Sequence, residues 1–241
     1  MTILSVPDFC RLRPARRTVR SLALATLLWL TGAAPAAATH IVGGQFRMTY
    51  LRPTVYSLGL VLYFDDVNGN DGALDSAAVL AIYEKSTNIR QDTFRVYLKT
   101  RVPVAYSDPA CQISSLRTSQ LDYQAEVTLD PARYISPRGY YMVWERCCRN
   151  HTITNIVNPG DIGQTFYLEF PAIQKNGQAF LNSSPTAFIP IRDFACRNTP
   201  FRAAFGGTDP DGDSLVYDLV TPLRGHSSGT NFRPRPPQPA P

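Results

Sequence analysis

Apolar and polar residues alternate along much of the chain, with the period of two that is typical of half-buried β-strands. In the stretch 121–129, LDYQAEVTL, every second residue is apolar and the residues between are polar or charged. The stretch 93–99, TFRVYLK, repeats the pattern with Phe94, Val96 and Leu98. Both stretches are therefore predicted to be strands that place one face on a core and the other in solvent.

Five further apolar runs, each about a strand in length, predict strands at 55–64, 77–84, 140–147, 165–170 and 214–220. Turn-forming sequences such as SPRG, NPGD, KNGQ and DPDGD separate the runs. No long stretch of the sequence keeps the helical period of 3.6 residues. Many short strands with regular turns predict an all-β fold, an antiparallel Ig-like or cadherin-like β-sandwich.

The alternating pattern breaks near residues 171–185, which indicates a domain boundary. We expect a first β-sandwich domain at 39–175 and the start of a second Ig-like or cadherin-like β domain at 176–223. The second stretch offers about three strands, too few for a freestanding sandwich, so we expect this domain to be incomplete. The last residues, 224–241, are rich in proline and are predicted to be a disordered tail.

Residues 1–38 have the three parts of a secretory signal peptide. Five arginines come first, an apolar run follows at 22–30, and small residues end at Ala38. The apolar run is too short to remain as a membrane-spanning helix, and no later stretch is long and apolar enough to span a membrane. We expect a mature chain from Thr39 onward that is secreted, and that is either soluble or attached to the cell surface.

The charge of the chain belongs mainly to this signal. It carries five arginines and one aspartate, so four of the five formal positive charges leave with it. A mature chain with a net charge near +1 lacks the strongly basic surface that binds nucleic acid. We therefore expect no nucleic-acid partner.

Four cysteines remain after cleavage: Cys111, Cys147, Cys148 and Cys196. An even number of cysteines in an oxidising compartment predicts disulfides. Adjacent Cα atoms lie about 3.8 Å apart, which is below the disulfide range of about 4.4–6.8 Å, so Cys147 and Cys148 are not expected to bond to each other. Two pairings stay open, in which Cys111 and Cys196 each bond to one of the central pair. Zinc is the alternative, but His151 is the only histidine nearby.

The sequence TDPDGDSLVY contains three alternating carboxylates, Asp209, Asp211 and Asp213. Carboxylate oxygens that converge in a tight turn are ligands for a hard cation, so we identify a candidate calcium site here. The alternative is that Asp-Pro and Asp-Gly simply form a turn before a strand. A second acidic stretch, FDDVNGNDGALD at 64–75, is predicted to be a solvated hairpin connection, with a calcium loop as the alternative.

Two short sequences resemble parts of hydrolases: IVGG at 41–44 and GDSL at 212–215. A trypsin-like nucleophile needs glycines after the serine, whereas Leu215 and Val216 follow Ser214. The base histidine of a catalytic triad is also missing from its expected setting. We therefore predict that the protein is not an enzyme.

Aromatic residues crowd the run before the paired cysteines. Tyr140, Tyr141 and Trp144 are residue types that also form sugar-binding platforms. In a sandwich strand such rings more often pack in the core and across strands. The sugar-binding alternative predicts exposed rings and a role as a carbohydrate-binding module of a secreted polysaccharide-processing system.

Six motifs occur in order along the chain: ATHIVGG, VWERCCRN, ITNI, LNSSP, ACRNTPF and TDPDGDSLVYDLVTPLRG. Together they resemble the N-terminal region of large exported proteins of gliding bacteria, which carry a gliding-motility-associated or type IX secretion sorting domain at their C-terminus. The resemblance covers most of residues 38–225, and the double cysteine and DPDGDSL are its most specific parts. This sequence has no such sorting domain, so we expect either a fragment of a longer protein or a truncated gene product.

The resemblance implies a multi-domain surface or secreted protein built of tandem Ig-like and cadherin-like β domains. It implies a role in adhesion or cell-surface structure, with other cell-surface proteins or extracellular polysaccharide as partners. From the sequence we expect disulfides as the covalent crosslinks of such a module. Calcium is the only cofactor that the sequence suggests.

Overall fold

The computed structural model describes residues 41–69, 74–105, 117–147, 149, 153–187, 198–202, 206–225 and 235–239. The predicted signal peptide and the cysteines Cys111, Cys148 and Cys196 lie outside these residues. No helix within the described ranges combines the length and the apolar character needed to cross a lipid bilayer.

Thirteen strands and one short 3-10 helix, Pro159–Asp161, account for the regular structure of the described residues. Their bounds are β1 Ile41–Arg52, β2 Val55–Asp65, β3 Ala77–Glu84, β4 Arg90–Pro103, β5 Thr118–Thr128, β6 Tyr140–Arg146, β7 Gly163–Phe170, β8 Gln174–Lys175, β9 Gln178–Ala179, β10 Thr186–Ala187, β11 Gly207–Thr208, β12 Leu223–Gly225 and β13 Gln238–Pro239.

Nine of these strands form one antiparallel sheet in the order β1-β2-β5-β4-β3-β6-β7-β12-β13. Strands β3, β4 and β5 are consecutive neighbours, and β2 lies beside β5, which gives the Greek-key order that is common in β-sandwiches. The predicted all-β, antiparallel class is therefore confirmed.

The sheet curls until distant strands meet. Strands β1 and β7 are separated by five strands in the sheet order, yet the side chain of Gln164 in β7 donates a hydrogen bond to the carbonyl oxygen of Ile41 in β1 at 2.7 Å. Both ends of this hydrogen bond are buried. The curled sheet thus encloses a core in a sandwich-like arrangement.

Alternate residues of the strands form this core, as the sequence pattern predicts. Leu121, Tyr123 and Val127 of β5 are 1%, 2% and 8% exposed, and Leu129 is fully buried. The same cluster receives side chains from the neighbouring strands, among them Leu58, Leu60, Leu80, Ile82, Val96, Met142 and Trp144. Burial of these large apolar side chains supplies the main driving force for folding.

The chain departs from the sequence prediction in three places. Strand β1 was not expected, although it pairs with β2 along almost its whole length. The loop after β2 is not a hairpin connection, because it leads to β3, and β5 and β4 lie between the two strands. The run 214–220, predicted to be a strand, has no strand pairing.

Parts of the predicted second domain and tail pack on this same sheet. Strand β12 pairs with β7, and β13 pairs with β12. Pro239 is accommodated because β13 is an edge strand, where a missing backbone N–H leaves no ladder bond unmade. The position of the domain boundary stays a prediction.

Candidate functional site

The sequence WERCCRN at the end of β6 connects β6 to several distant parts of the chain. Glu145 is only 2% exposed, and its Oε1 accepts a hydrogen bond from the backbone N–H of Arg235 at 2.8 Å. The guanidinium of Arg146 forms an ion pair with Asp75, in the connection between β2 and β3. Tyr123 of β5 donates its hydroxyl to the carbonyl oxygen of Asp75 at 2.8 Å, which fixes the same connection from the other side.

Arg149 fixes the segments that follow β6. Its backbone N–H donates to the carbonyl oxygens of Pro159 and Ile162 at 3.2 and 3.0 Å. Its guanidinium Nη2 donates to the carbonyl oxygen of Leu223 in β12 at 2.7 Å. Burial lowers the pKa of the Arg149 guanidinium from its ordinary value, because removal from water disfavours the charged form. The side chain of this arginine therefore binds protein backbone.

Cys147 lies between these two arginines and is disulfide-bonded. The other three cysteines of the predicted disulfide set, Cys111, Cys148 and Cys196, lie outside the described residues. The pairing, and the zinc alternative for the cysteines outside these ranges, therefore stay open.

The acidic turn uses two of its carboxylates to hold backbone. Asp209 accepts hydrogen bonds from the N–H groups of Asp211 and Asp213 at 2.8 and 3.3 Å. The carboxylate of Asp211 accepts the backbone N–H of Ser183. Within the described residues no group of three histidine, cysteine, aspartate or glutamate side chains is arranged to hold a metal ion. The calcium site stays a prediction, and the geometry fits the turn interpretation of these residues.

The turn helps to cover the outer edge of β1. Ser183 and Ser184 of the LNSSP motif lie along this edge, where their hydroxyls accept the N–H groups of Tyr50 and Met48 at 3.1 and 2.9 Å. The N–H of Ser184 in turn donates to the carbonyl oxygen of Met48 at 2.7 Å. Asp211 thus anchors the serine pair that satisfies an otherwise open strand edge.

The acidic turn also affects the pKa of Tyr56, which lies in β2. Burial, followed by the charges of Tyr50 and Asp211, raises the pKa of Tyr56 to about 12. The carboxylate of Asp211 therefore lies close enough to the β1–β2 hairpin to disfavour ionisation of the buried Tyr56 phenol.

The aromatic residues near the paired cysteines are packing residues. Tyr140, Tyr141 and Trp144 are 1%, 3% and 6% exposed. Trp144 packs on Phe166 with ring centroids 5.5 Å apart. Tyr141 stacks between Tyr83 and Tyr167 at 5.3 and 5.1 Å on the opposite face of the sheet. These positions agree with the core and cross-strand packing interpretation.

The two hydrolase-like sequences lie in separate structural settings. IVGG begins β1, where Gly44 packs closely against β2, so this sequence serves the strand pairing. Ser214 is exposed in an extended segment without strand pairing. All three histidines lie outside the described residues, so no base can be placed beside Ser214.

A shallow groove of about 440 Å³ lies beside the β8–β9 hairpin. Five apolar residues, among them Phe180, line it together with the amides of Gln174 and Asn176 and a single ionisable side chain, that of Lys175. The ammonium group of Lys175 lies 5.7 Å from the ring centroid of Phe180. The groove therefore has no acid and base pair among the residues that line it.

Neither a family model, nor a curated protein, nor a solved structure matches this chain. Its class rests on its own fold: an antiparallel, Greek-key β module whose motif residues bond to other segments of the same chain.

The linking role of Glu145, Arg146 and Arg149 was not predicted from the sequence. A signal for it was present, because Glu145 and Arg146 directly follow five residues of an apolar strand run. Charged residues that continue such a run are buried only when they are paired or hydrogen-bonded. The identity of their partners depends on residues about 70 to 90 positions away in sequence, which no local pattern reveals.

Proposed function

We propose that this chain is an exported, non-enzymatic β module that serves in adhesion or as a scaffold at the cell surface. The observation that carries the proposal is the use of its motif residues. Glu145, Arg146 and Arg149 all bond to other segments of the chain. A binding or catalytic site would present such charged groups to a ligand.

These contacts would make the module stiff. The hydrogen bonds of Glu145 and Arg149 and the Cys147 disulfide act on the same end of β6. A tensile force on the chain would have to break a covalent bond and several backbone contacts together. A surface protein that carries load between a cell and its surroundings needs this resistance to local unfolding.

The export signal and the ordered set of motifs support the location. The resemblance to exported proteins of gliding bacteria suggests other cell-surface proteins or extracellular polysaccharide as partners. The sugar-binding alternative is less well supported, because it requires exposed rings and Trp144 is 6% exposed. The proposal does not require calcium, since Asp209 and Asp211 already accept hydrogen bonds from backbone N–H groups.

The experiment is a deletion of the gene in the native host, with complementation by variants that carry an epitope tag. Protease treatment of intact cells measures surface location, and attachment of cells to a solid surface under flow measures adhesion. We expect loss of attachment in the deletion strain and full rescue by wild type and by Ser214→Ala. Cys147→Ser should rescue less well, because the strand end is no longer crosslinked.

Two results would overturn the proposal. One is a tagged protein that stays inside the cell and resists protease unless the cells are lysed. The other is a Ser214→Ala variant that is secreted normally but fails to rescue, since this would indicate chemistry at the serine.

A further inference from the structure

The segment 214–220, SLVYDLV, is named here the apolar ribbon. Val216, Leu219 and Val220 are 94%, 97% and 80% exposed, and Tyr217 is 56% exposed. Soluble proteins seldom expose so many neighbouring large apolar side chains unless the surface binds something. The ribbon is therefore a candidate interaction surface.

The ribbon is held at both ends, so it is presented to solvent in a defined place. Before it, Thr208 in β11 pairs with Thr186 in β10, and the acidic turn is fixed by Asp211 on Ser183. After it, β12 pairs with β7. Between these anchors the backbone of 214–220 makes no hydrogen bond to any other described segment; Leu219 bonds only to the adjacent Asp218.

The ribbon is also acidic. Asp213 precedes it and Asp218 lies within it, and no lysine or arginine occurs from residue 203 to residue 223. A partner surface should therefore offer exposed apolar groups together with unpaired positive charge.

The same molecule carries such a surface on β4. Tyr97 and Val102 are 51% and 54% exposed, and Arg95 and Lys99 are exposed beside them. We name these four residues the β4 strip. Val96 is fully buried on the opposite face, so Arg95 and Tyr97 point away from the core.

The positive charge of the strip is not neutralised by its neighbours. The nearby carboxylates are already used, because Asp122 pairs with Arg47, Glu126 with Arg52, and Asp66 with Arg101. Among the described residues, Arg95 and Lys99 have no ion-pair partner.

We propose that the apolar ribbon of one copy binds the β4 strip of a second copy. The ribbon supplies Val216, Leu219 and carboxylates, and the strip supplies Tyr97 and cations, so the two surfaces match in both apolar character and charge. They are different surfaces, so the contact is head-to-tail and can continue from copy to copy. The protein would thus form open chains, which goes beyond the proposed role of a single module.

The first test is sedimentation velocity of the disulfide-bonded mature protein over a wide range of concentrations. We expect the sedimentation coefficient to rise with concentration at low salt and to rise less at high salt, since ion pairs at the rim are screened. A protein that stays monomeric at every concentration and salt level overturns the proposal.

The second test uses charge reversal on each surface. Asp213→Lys with Asp218→Lys changes the ribbon, and Arg95→Glu with Lys99→Glu changes the strip. Each double variant alone should associate about tenfold or more weakly than wild type. Mixed in equal amounts, the two variants should regain association, because the changed ribbon of one attracts the changed strip of the other. The unchanged ribbon of the strip variant also meets the unchanged strip of the ribbon variant, which is the wild-type contact. Both contacts join unlike variants, so the mixture should again form open chains, in which the two variants alternate.

Controls separate this contact from misfolding and from other partners. Val216→Asn with Leu219→Asn should abolish association, whereas Val157→Asn, at a valine that is 68% exposed elsewhere, should not. Every variant should keep the wild-type unfolding midpoint, because all the changed side chains are exposed. A strip variant that still associates like wild type would indicate ribbon-to-ribbon pairing and would overturn the proposed contact. Association that survives Val216→Asn with Leu219→Asn would overturn it as well.

Discussion

The hydroxyl of Tyr140, the first residue of β6, donates a hydrogen bond to the carbonyl oxygen of Arg133 at 2.8 Å. The same hydroxyl accepts the N–H of Ser136 at 2.9 Å. The ring is 1% exposed and packs on Tyr134 with centroids 4.7 Å apart. One phenol therefore fixes the turn that leads into the strand carrying the WERCCRN sequence, in the manner of the tyrosine corner of Greek-key sandwiches.

Replacing this hydroxyl should weaken the fold. We expect Tyr140→Phe to lower the free energy of unfolding by about 1–3 kcal/mol, because two backbone groups lose their partner in a buried place. Chemical denaturation followed by the fluorescence of Trp144 measures the change. Tyr97→Phe is the matched control, since Tyr97 is 51% exposed and its hydroxyl has no hydrogen-bond partner in the described part of the chain; an equal loss there would contradict the prediction.

The two glycines of IVGG should respond differently to the same substitution. A Cβ at Gly44 would overlap the carbonyl oxygen of Val61 and approach Leu62 Cδ2 to 2.9 Å, whereas a Cβ at Gly43 has no atom within 4 Å. We expect Gly44→Ala to cost about 1–3 kcal/mol of unfolding free energy and Gly43→Ala to cost far less. Thermal unfolding of both variants checks this, and equal midpoints would show that β1 does not pack on β2 as described.

Glu84 should make the stability depend on acid. Hydrogen bonds from Ser86, Thr87 and Ser136 lower its pKa to about 2. The pKa of a glutamate in an unfolded chain is about 4.3. Because the folded pKa is the lower one, this stabilisation is complete above about pH 4.3 and is lost as the pH falls toward 2.

Glu84→Gln tests this directly by denaturant unfolding at several pH values. The variant should be less stable than wild type at neutral pH, and the difference should shrink as the pH falls below about 4.3. Glu126→Gln serves as control, because Glu126 forms only an exposed ion pair with Arg52 and should show a small difference at every pH. A Glu84→Gln difference that stays constant with pH would refute the assignment.

The disulfide of Cys147 should be visible both chemically and thermodynamically. Non-reducing peptide mapping of the protein isolated from its native host should recover the Cys147 peptide joined to a second cysteine peptide. Cys147→Ser should lower the free energy of unfolding by about 2–4 kcal/mol, and reduction of the wild type should cost at least as much, because it breaks every disulfide of the chain. Recovery of a free Cys147 thiol from protein purified without reductant would contradict the structure.

The alternation of apolar and polar residues predicted the main strands, because adjacent side chains of a half-buried strand face the core and the solvent in turn. Strand β3 occupies residues 77–84 as expected, and the inward positions of β5 are the buried ones. Strand β1 was missed because its first residues include two glycines, and only the later Phe46 and Met48 show the buried alternation.

The remaining features depend on partners that are far away in sequence. The ribbon has the composition of a strand. Whether its backbone pairs with another strand depends on whether a strand edge of the sheet is available to it, and Val216 is in fact exposed. The sequence around Asp211 predicts both a turn and a calcium ligand, since carboxylates favour both, but its hydrogen bond with the backbone N–H of Ser183 has no local signal. Both cases show long-range contacts overriding a local preference.

The serine pair that covers the edge of β1 is synthesised long after β1 itself. Met48 and Tyr50 are made early, but the hydroxyls that accept their N–H groups lie 136 and 133 residues later. Until Ser184 has been synthesised, an N-terminal strand would remain open on one side, ready to pair with any other extended polypeptide. The edge of β1 is therefore a place at which the incomplete chain can aggregate, and it is covered only when Ser183 and Ser184 have been made.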